Sequence, residues 1–307
     1  MSHDDPVQLL ARRPVCDLAP AESLRTRVSE PAAIVDWGPS VDHDRDVKPL
    51  IVLIFSLFGL SIGSFLNVVV DRIPKNESIV SPRSRCPRCE SPITSRDNIP
   101  LISWIILRGR CRNCGLPISV QYPLVEIGTA ALFGLSAAHF GAGWNLAIYL
   151  PLFAGLIPLA LIDAQRRLLP VRILYPVLAT TTAVILAAGI DHDEWRRLVL
   201  AAASGAVWFS AYFLINLIRP DALGFGDVRL VGLLGITVGW LGVPVVIIAF
   251  FASNLIGLAC SIAMLATKRA QRDTQIPYGV FLALGAGVAI FFGPTLVNHF
   301  SILQGHQ

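Results

Sequence analysis

The stretch Leu161-Ile162-Asp163-Ala164-Gln165-Arg166-Arg167-Leu168-Leu169-Pro170 closes an apolar run that begins near residue 144, and its reading decides the fold. An aspartate at the end of a hydrophobic span is costly unless it is hydrated, paired or used. A second acid stands in the same position in Gly224-Phe225-Gly226-Asp227-Val228-Arg229-Leu230, where Asp227 borders another apolar run. Two such acids, able to meet, point to aspartyl chemistry at a membrane surface.

The composition around them is that of a membrane protein. Of 307 residues, 54% are hydrophobic and 15% charged, and the mean hydropathy is +0.62. That is too apolar for a soluble domain of this size. At roughly 20 residues per spanning helix, eight spans are expected, at about 49–70, 122–141, 144–164, 171–190, 196–218, 228–241, 243–266 and 278–298. Only Gly239-Trp240-Leu241-Gly242-Val243-Pro244 separates the sixth from the seventh, so part of that region also reads as a short or re-entrant helix. The expected fold is an all-α polytopic membrane protein with a small cytoplasmic loop.

Charge placement sets the expected orientation. Basic residues crowd the segment 71–121, from Arg72 to Arg112, and recur at Arg166, Arg167, Arg172, Arg219, Arg229, Lys268, Arg269 and Arg272. All fall on one side if eight helices alternate. The opposite loops hold Arg196 and Arg197, offset by Asp191, Asp193 and Glu194. The positive-inside rule then puts the basic loops, Asp163 and Asp227 in the cytoplasm and both termini outside. The net charge of +4 is a topology signal, and no nucleic-acid partner is expected. Residues 1–48 are polar, carry several prolines and lack the apolar core of a cleavable signal peptide. They read as a disordered tail, or as the product of a start codon assigned too far upstream.

The basic loop contains Cys86-Pro87-Arg88-Cys89 and Cys111-Arg112-Asn113-Cys114, with 21 residues between the pairs. Paired Cys-x-x-Cys knuckles at such spacing suit a structural zinc ion, which would replace the core that so short a segment lacks. Four free thiols are the alternative; disulfides are disfavoured in a reducing cytoplasm. Four cysteine ligands leave zinc no open position, so the metal would be structural. Cys16 and Cys260 read as incidental. The surrounding arginines suit acidic lipid headgroups, an acidic substrate residue or plain solvation.

Each aspartate has a bland explanation. Asp227 could cap a helix start, and Asp163 could pair with Arg166 or Arg167. Their shared depth favours a joint role. Gly224 and Gly226 permit a tight turn and close approach, and Pro170 and Pro220 stop helical continuation through the flanking loops. Of two carboxylates a few ångströms apart, one keeps its proton. The ionised one can draw a proton from water while the other donates to a scissile carbonyl. No competing catalytic set is expected, neither a Gly-x-Ser-x-Gly elbow nor a His-Glu-x-x-His zinc motif.

These residues resemble the bacterial type IV prepilin peptidases, a family of Gly-x-Gly-Asp membrane aspartyl proteases. The resemblance runs from about residue 55 to 290. It begins at Gly63-Ser64-Phe65-Leu66-Asn67-Val68-Val69-Val70-Asp71-Arg72-Ile73-Pro74 and passes through the knuckles, Gly115-Leu116-Pro117-Ile118-Ser119 and Tyr122-Pro123-Leu124-Val125-Glu126. The two aspartate motifs and Ile276-Pro277-Tyr278-Gly279-Val280-Phe281-Leu282-Ala283 complete it. It implies cleavage of the short basic leader of prepilins and pseudopilins at the cytoplasmic face of the inner membrane, with Asp163 and Asp227 as the catalytic pair. It also implies methylation of the new N-terminal amine by S-adenosylmethionine, an activity the family associates with the position of Gly109. Glu126 reads either as part of a methyl-transfer site or as a helix anchor. Arg229 stands where the family commonly has lysine, and Tyr278 where it commonly has phenylalanine.

The chain thus divides into a polar tail (1–48), a first transmembrane helix (49–70), a zinc-knuckle loop (71–121) and a membrane-embedded aspartyl peptidase domain (122–307). Gly59 and Gly63 read as a helix-packing face, and Asn67, Asn216 and Asn254 as interhelical hydrogen-bonding residues. The rival functions are a transporter using its acids for a cation or proton, and an assembly factor docking through the zinc loop. Acids at one surface only, with no polar track across the bilayer, argue against the transporter; a peptidase without methyltransferase activity is the further alternative.

Overall fold

The computed structural model describes residues 48–220, 223–267 and 277–304, with side chains described as far as residue 299. The predicted tail, apart from Lys48, lies outside the described residues, as do Cys16, Lys268, Arg269, Arg272 and Ile276. The described residues fall in one compact unit. Among them the elements are α1 (Lys48–Arg72), α2 (Ile102–Ile106), α3 (Gln121–Phe140), α4 (Trp144–Arg166), α5 (Val171–Asp191), α6 (Trp195–Ile218), α7 (Phe225–Gly239), α8 (Val243–Ala266) and α9 (Tyr278–Gln304). The apolar runs become helices because in lipid every backbone N–H and C=O must be satisfied within the segment.

Seven of these helices are long and apolar enough to cross a membrane, and the chain is a multi-pass membrane protein. The exceptions are the five-residue α2, in the cysteine loop, and α7, the sixth predicted span. The 15 residues of α7 rise only about 22 Å, short of a hydrocarbon core of about 30 Å. It is sheathed by protein: Val228, Leu230, Val231, Leu233 and Leu234 are all fully buried. Its far end is nonetheless fixed at the opposite end of the bundle from Asp163. Trp240 Nε1 donates to Asn145 Oδ1 at 3.0 Å, and Tyr149 Oη donates to the Thr237 carbonyl at 3.1 Å, both at the start of α4. The short α7 therefore lies along α4, from the turn near Asp163 towards the start of α4.

Helix α4 is the centre of the bundle, touching α1, α3, α5 and α9. Tyr149, Leu152, Leu159 and Ile162 are sealed from solvent, and Phe153 stacks on Phe291 with ring centroids 5.6 Å apart. Helices α1 and α3 pack closest where Gly59 and Gly63 face α3. A Cβ at Gly59 would stand 2.8 Å from Ala130 Cα, and one at Gly63 2.7 Å from Glu126 Cα. The small-residue face expected of α1 is thus the contact itself.

Candidate active site and metal cluster

Asp163 lies one turn before the end of α4, which stops at Arg167 in the left-handed conformation. Its side chain is buried, and Oδ2 accepts the Val280 N–H at 3.3 Å; the Gly279 N–H also points to it. These donors are the first free N–H groups of α9, so the acid sits on the positive end of that helix. Arg166 and Arg167 are exposed, and among the described residues neither forms an ion pair with Asp163. The bland pairing is not what the fold builds.

Asp227 is not the N-cap of α7 either. Gly224 holds that position in an extended conformation, and Asp227 lies in the first turn. The carboxylate leans back to the Gly224 N–H, as the third helical residue does in a capping box. Its other oxygen, Oδ1, is buried with no hydrogen-bond partner. An orphan acceptor of this kind costs free energy unless a ligand or water occupies it.

The two acids belong to one site. Leu169, in the turn after α4, touches both helix starts. A Cβ at Gly226 would stand 2.9 Å from Leu169 Cβ, and one at Gly279 3.3 Å from Leu169 Cδ1 and 2.8 Å from Asp163 Oδ2. The carboxylates are close enough for the charge of Asp163 to act on Asp227. The loop before Gly224 is held by Asn216 Nδ2, which donates to the Leu223 carbonyl at 2.6 Å. Beside the acids, the Tyr278 hydroxyl donates to Asn254 Oδ1 at 3.3 Å and meets the Tyr212 hydroxyl at 2.9 Å. Sequence reasoning missed Tyr212, which no motif marks. Arg229 stacks over Phe225, 4.4 Å from its centroid.

The cysteines gather. Their four Sγ atoms lie within 4.8 Å of one another, with Cys86 and Cys114 4.0 Å apart, and all four are free thiols. A tetrahedral ion with metal–sulfur bonds of about 2.3 Å needs sulfurs about 3.8 Å apart, so the cluster fits a metal ion. Its two halves repeat the pattern Arg-Cys-x-x-Cys-x-x-Pro-Ile, from Arg85 to Ile93 and from Arg110 to Ile118. Each closes with an antiparallel bridge, Arg85 to Pro92 and Arg110 to Pro117. Each turns through a left-handed residue, Glu90 or Gly115. The repeat was readable in the sequence and went unread. Asn113 Nδ2 donates to Ser91 Oγ at 2.6 Å and stitches the halves together. Arg112 forms a two-pronged pair with Asp97, at 2.7 to 3.0 Å. Its hydrogen bonds and charge hold the Asp97 carboxyl below the usual carboxylate range.

Between the cysteine loop and the ends of α1 and α3 lies a cavity of about 1070 Å³, whose lining includes Asn67, Arg72, Trp104, Tyr122 and Glu126. Glu126 is buried, and its Oε2 accepts the Leu101 N–H at 2.6 Å. It anchors the loop to α3. Gly109 has φ +66°, and a Cβ there would stand 2.9 Å from the Trp104 ring. Glycine is therefore the residue that lets Trp104 close the cavity wall. Gln165, two residues beyond Asp163, donates from Nε2 to Gln121 Oε1 at 3.0 Å, and so ties the end of α4 to the start of α3.

A Gly-x-Ser-x-Gly pattern does occur, at Gly59-Leu60-Ser61-Ile62-Gly63. It lies in the middle of α1, where Ser61 Oγ donates to the Leu57 carbonyl at 3.3 Å. It lacks the strand-to-helix turn that makes such a serine a nucleophile.

Comparison with known proteins assigns both halves of the chain. Residues 57–140 match the bacterial peptidase A24 N-terminal domain, and residues 150–262 the type IV leader peptidase family. A prepilin leader peptidase/N-methyltransferase of Myxococcus xanthus (strain DK1622) is 40% identical over 229 residues, covering 74% of this chain and 67% of the relative. The protein of the same name from Pseudomonas aeruginosa is 33% identical over 298 residues, 88% of this chain and 100% of the relative. That of Bacillus subtilis (strain 168) is 33% identical over 247 residues, 80% of this chain and 96% of the relative. No solved structure matches the chain. With both domains matched and the Pseudomonas aeruginosa relative covered in full, this chain belongs to the type IV leader peptidase family.

Proposed function

We propose that this protein is an aspartyl endopeptidase that removes the basic leader from type IV prepilins and pseudopilins. It then methylates the new N-terminal amine. The observation that carries the first activity is the meeting at Leu169 of the two helix starts beside a buried acid, Asp163, and a half-buried one, Asp227, whose Oδ1 no protein group satisfies.

Asp163 and Asp227 form the catalytic pair, and Gly224 and Gly226 set the turn that delivers Asp227. One carboxylate is ionised and takes a proton from water as the water oxygen bonds to the scissile carbonyl carbon. The other, protonated, donates to the carbonyl oxygen. The tetrahedral adduct collapses with proton transfer to the amide nitrogen, the C–N bond breaks, and a carboxylic acid and a free amine leave.

The four cysteines hold zinc as a structural ion, closed to substrate. The methyl donor is S-adenosylmethionine, which supplies an electrophilic methyl group to an amine nitrogen. The cavity beside Glu126 and Trp104, with Gly109 behind the indole, is where the chain has room for it. In this division, residues 49–70 form the first transmembrane helix, 71–121 the zinc-knuckle loop and 122–307 the membrane-embedded aspartyl peptidase domain.

The acids lie at the cytoplasmic face of the inner membrane, a reading supported by the basic loops. A substrate with a basic leader in the cytoplasm and an apolar helix in the bilayer then offers its scissile bond at the height of the acids. Lipid surrounds the bundle and nucleic acid has no part.

The test is to incubate membranes containing the protein with a prepilin and S-adenosylmethionine and read the new N-terminus by mass spectrometry. Loss of cleavage in both Asp163→Asn and Asp227→Asn, at normal expression, supports the acid pair. Cleavage surviving in either variant refutes it. Cleavage without an added methyl group leaves a peptidase alone.

A further inference from the structure

The cavity under the cysteine loop holds a charged group that peptide hydrolysis does not use. Arg72, the last residue of α1, is 9% exposed, and its Nη1 donates to the Ser78 carbonyl at 2.9 Å. None of the five carboxylates in the cavity lining, Asp71, Glu77, Glu90, Asp97 and Glu126, forms an ion pair with it. Asp71 pairs with Lys75 at 2.6 Å and Asp97 with Arg112 at 2.7 Å, while Glu126 receives the Leu101 N–H. Among the described residues no carboxylate forms an ion pair with Arg72.

A guanidinium presents five N–H donors, and one carbonyl leaves most of them unassigned. A buried cation without a counter-ion is strongly disfavoured. Arg72 lines both the 1070 Å³ cavity and an adjoining one of about 630 Å³. Its surroundings are therefore suited to an incoming anion, and a planar fork is best matched by a carboxylate.

The same cavity wall carries the complement. Asn67, five residues earlier, spends its Nδ2 on the Gly63 and Tyr122 carbonyls at 3.3 and 3.1 Å. Its Oδ1 is buried and receives no donor from the protein. Glu126 lines the same cavity and brings a carboxylate. Cation, orphan acceptor and acid together make a receptor for a zwitterion. Trp104, in the same wall, has a buried indole N–H with no partner.

We propose that Arg72 binds the α-carboxylate of the methyl donor, while Asn67 Oδ1 and Glu126 receive its α-ammonium group. This rests on the methyl-transfer reading above and assigns the residues that would recognise the amino-acid end of S-adenosylmethionine.

The experiment is equilibrium binding to the full-length protein in nanodiscs, with S-adenosylmethionine and its decarboxylated analogue as probes. Wild type is expected to bind the decarboxylated compound about tenfold or more weakly. Arg72→Gln is expected to lose about tenfold or more in affinity for S-adenosylmethionine, so that the two probes bind it alike. Arg72→Lys, which keeps the charge without the fork, should fall between.

Equal binding of both probes by wild type overturns the proposal with no variant needed, and leaves Arg72 to another anion, such as an acid of the substrate peptide. Undiminished S-adenosylmethionine binding by Arg72→Gln overturns it as well. In both cases the methyl-transfer reading stands. A wild type that binds neither probe removes that reading and this proposal together.

Discussion

Asp163 Oδ2 accepts the backbone N–H of Val280 at 3.3 Å, so an acid near the end of α4 caps the start of α9, 117 residues further on. The position of this carboxylate is thus set by a helix terminus rather than by a counter-ion. Whatever moves the start of α9 moves the acid.

Gly279→Ala tests that dependence. The added Cβ would stand 2.8 Å from Asp163 Oδ2 and 3.3 Å from Leu169 Cδ1, and both would have to shift. Overpacking of this kind costs about 1–3 kcal/mol, drawn here from the geometry of the acid pair. Prepilin cleavage should slow by about tenfold or more, while the metal content of the cysteine loop stays at the wild-type level. A wild-type cleavage rate would show that α9 does not position Asp163.

Glu126 separates an anchoring role from a charge role. Glu126→Ala removes the acceptor for the Leu101 N–H, and losing a buried hydrogen bond to a charged group costs about 1.5–3 kcal/mol. The loop should then open more often, and trypsin should cut faster at Arg96, Arg108 or Arg110. Glu126→Gln keeps a carbonyl oxygen in place and should digest nearly as slowly as wild type. Equal digestion of all three proteins would rule out the anchor.

The four thiols should differ once a chelator has stripped the metal. Hydrogen bonds from the side chain and backbone of Ser91 pull Cys89 down to about 6. Cys114 receives the Leu116 N–H, yet loss of solvent and hydrogen bonds with the other three cysteines push it up to about 11. A lowered value means that the thiolate dominates above it. Alkylation of the metal-free protein at pH 7 should therefore mark Cys89 before Cys114, with the Cys89 rate reaching half its maximum near pH 6. Peptide mapping of the alkylated protein reads the order directly, and uniform labelling would contradict it.

The hydroxyl pair Tyr212–Tyr278 links α6 to α9 at 2.9 Å beside the acids. Tyr212→Phe and Tyr278→Phe should each lower stability by about 1 kcal/mol. The double variant should cost clearly less than the sum, since the shared hydrogen bond can be lost once. Thermal unfolding in detergent measures all three. Strict additivity would mean that the hydroxyls act separately.

The helices were legible because their ends are punctuated. Gly141 and Gly143 separate α3 from α4, Pro170 precedes α5, and Gly242 and Pro244 open α8. The observed bounds of α4, α5 and α8 accordingly lie within two residues of the predicted runs. The start of α7 was placed three residues late, at 228 against Phe225. Hydrophobicity locates where an apolar run begins, whereas the helix is initiated by the extended Gly224 and takes Asp227 into its first turn. The aspartates stood out because acids are rare at such positions. The partner of Glu126 did not, because a backbone N–H 25 residues away leaves no side-chain signature. Arg72 was hidden in the same way: the sequence shows one more basic residue in a basic loop, and only the fold shows it buried without an acid.

The contact of Leu169 with both Gly226 and Gly279 has an evolutionary consequence. One branched side chain serves as the common reference for two helix starts, so these three positions cannot drift independently. A relative carrying alanine at either glycine position should carry a smaller residue in place of Leu169. A larger residue at the leucine position should not be tolerated while both neighbours remain glycine. The site would then change through coordinated exchanges at three positions scattered along the chain, and pairs of sequences differing at only one of them should be scarce.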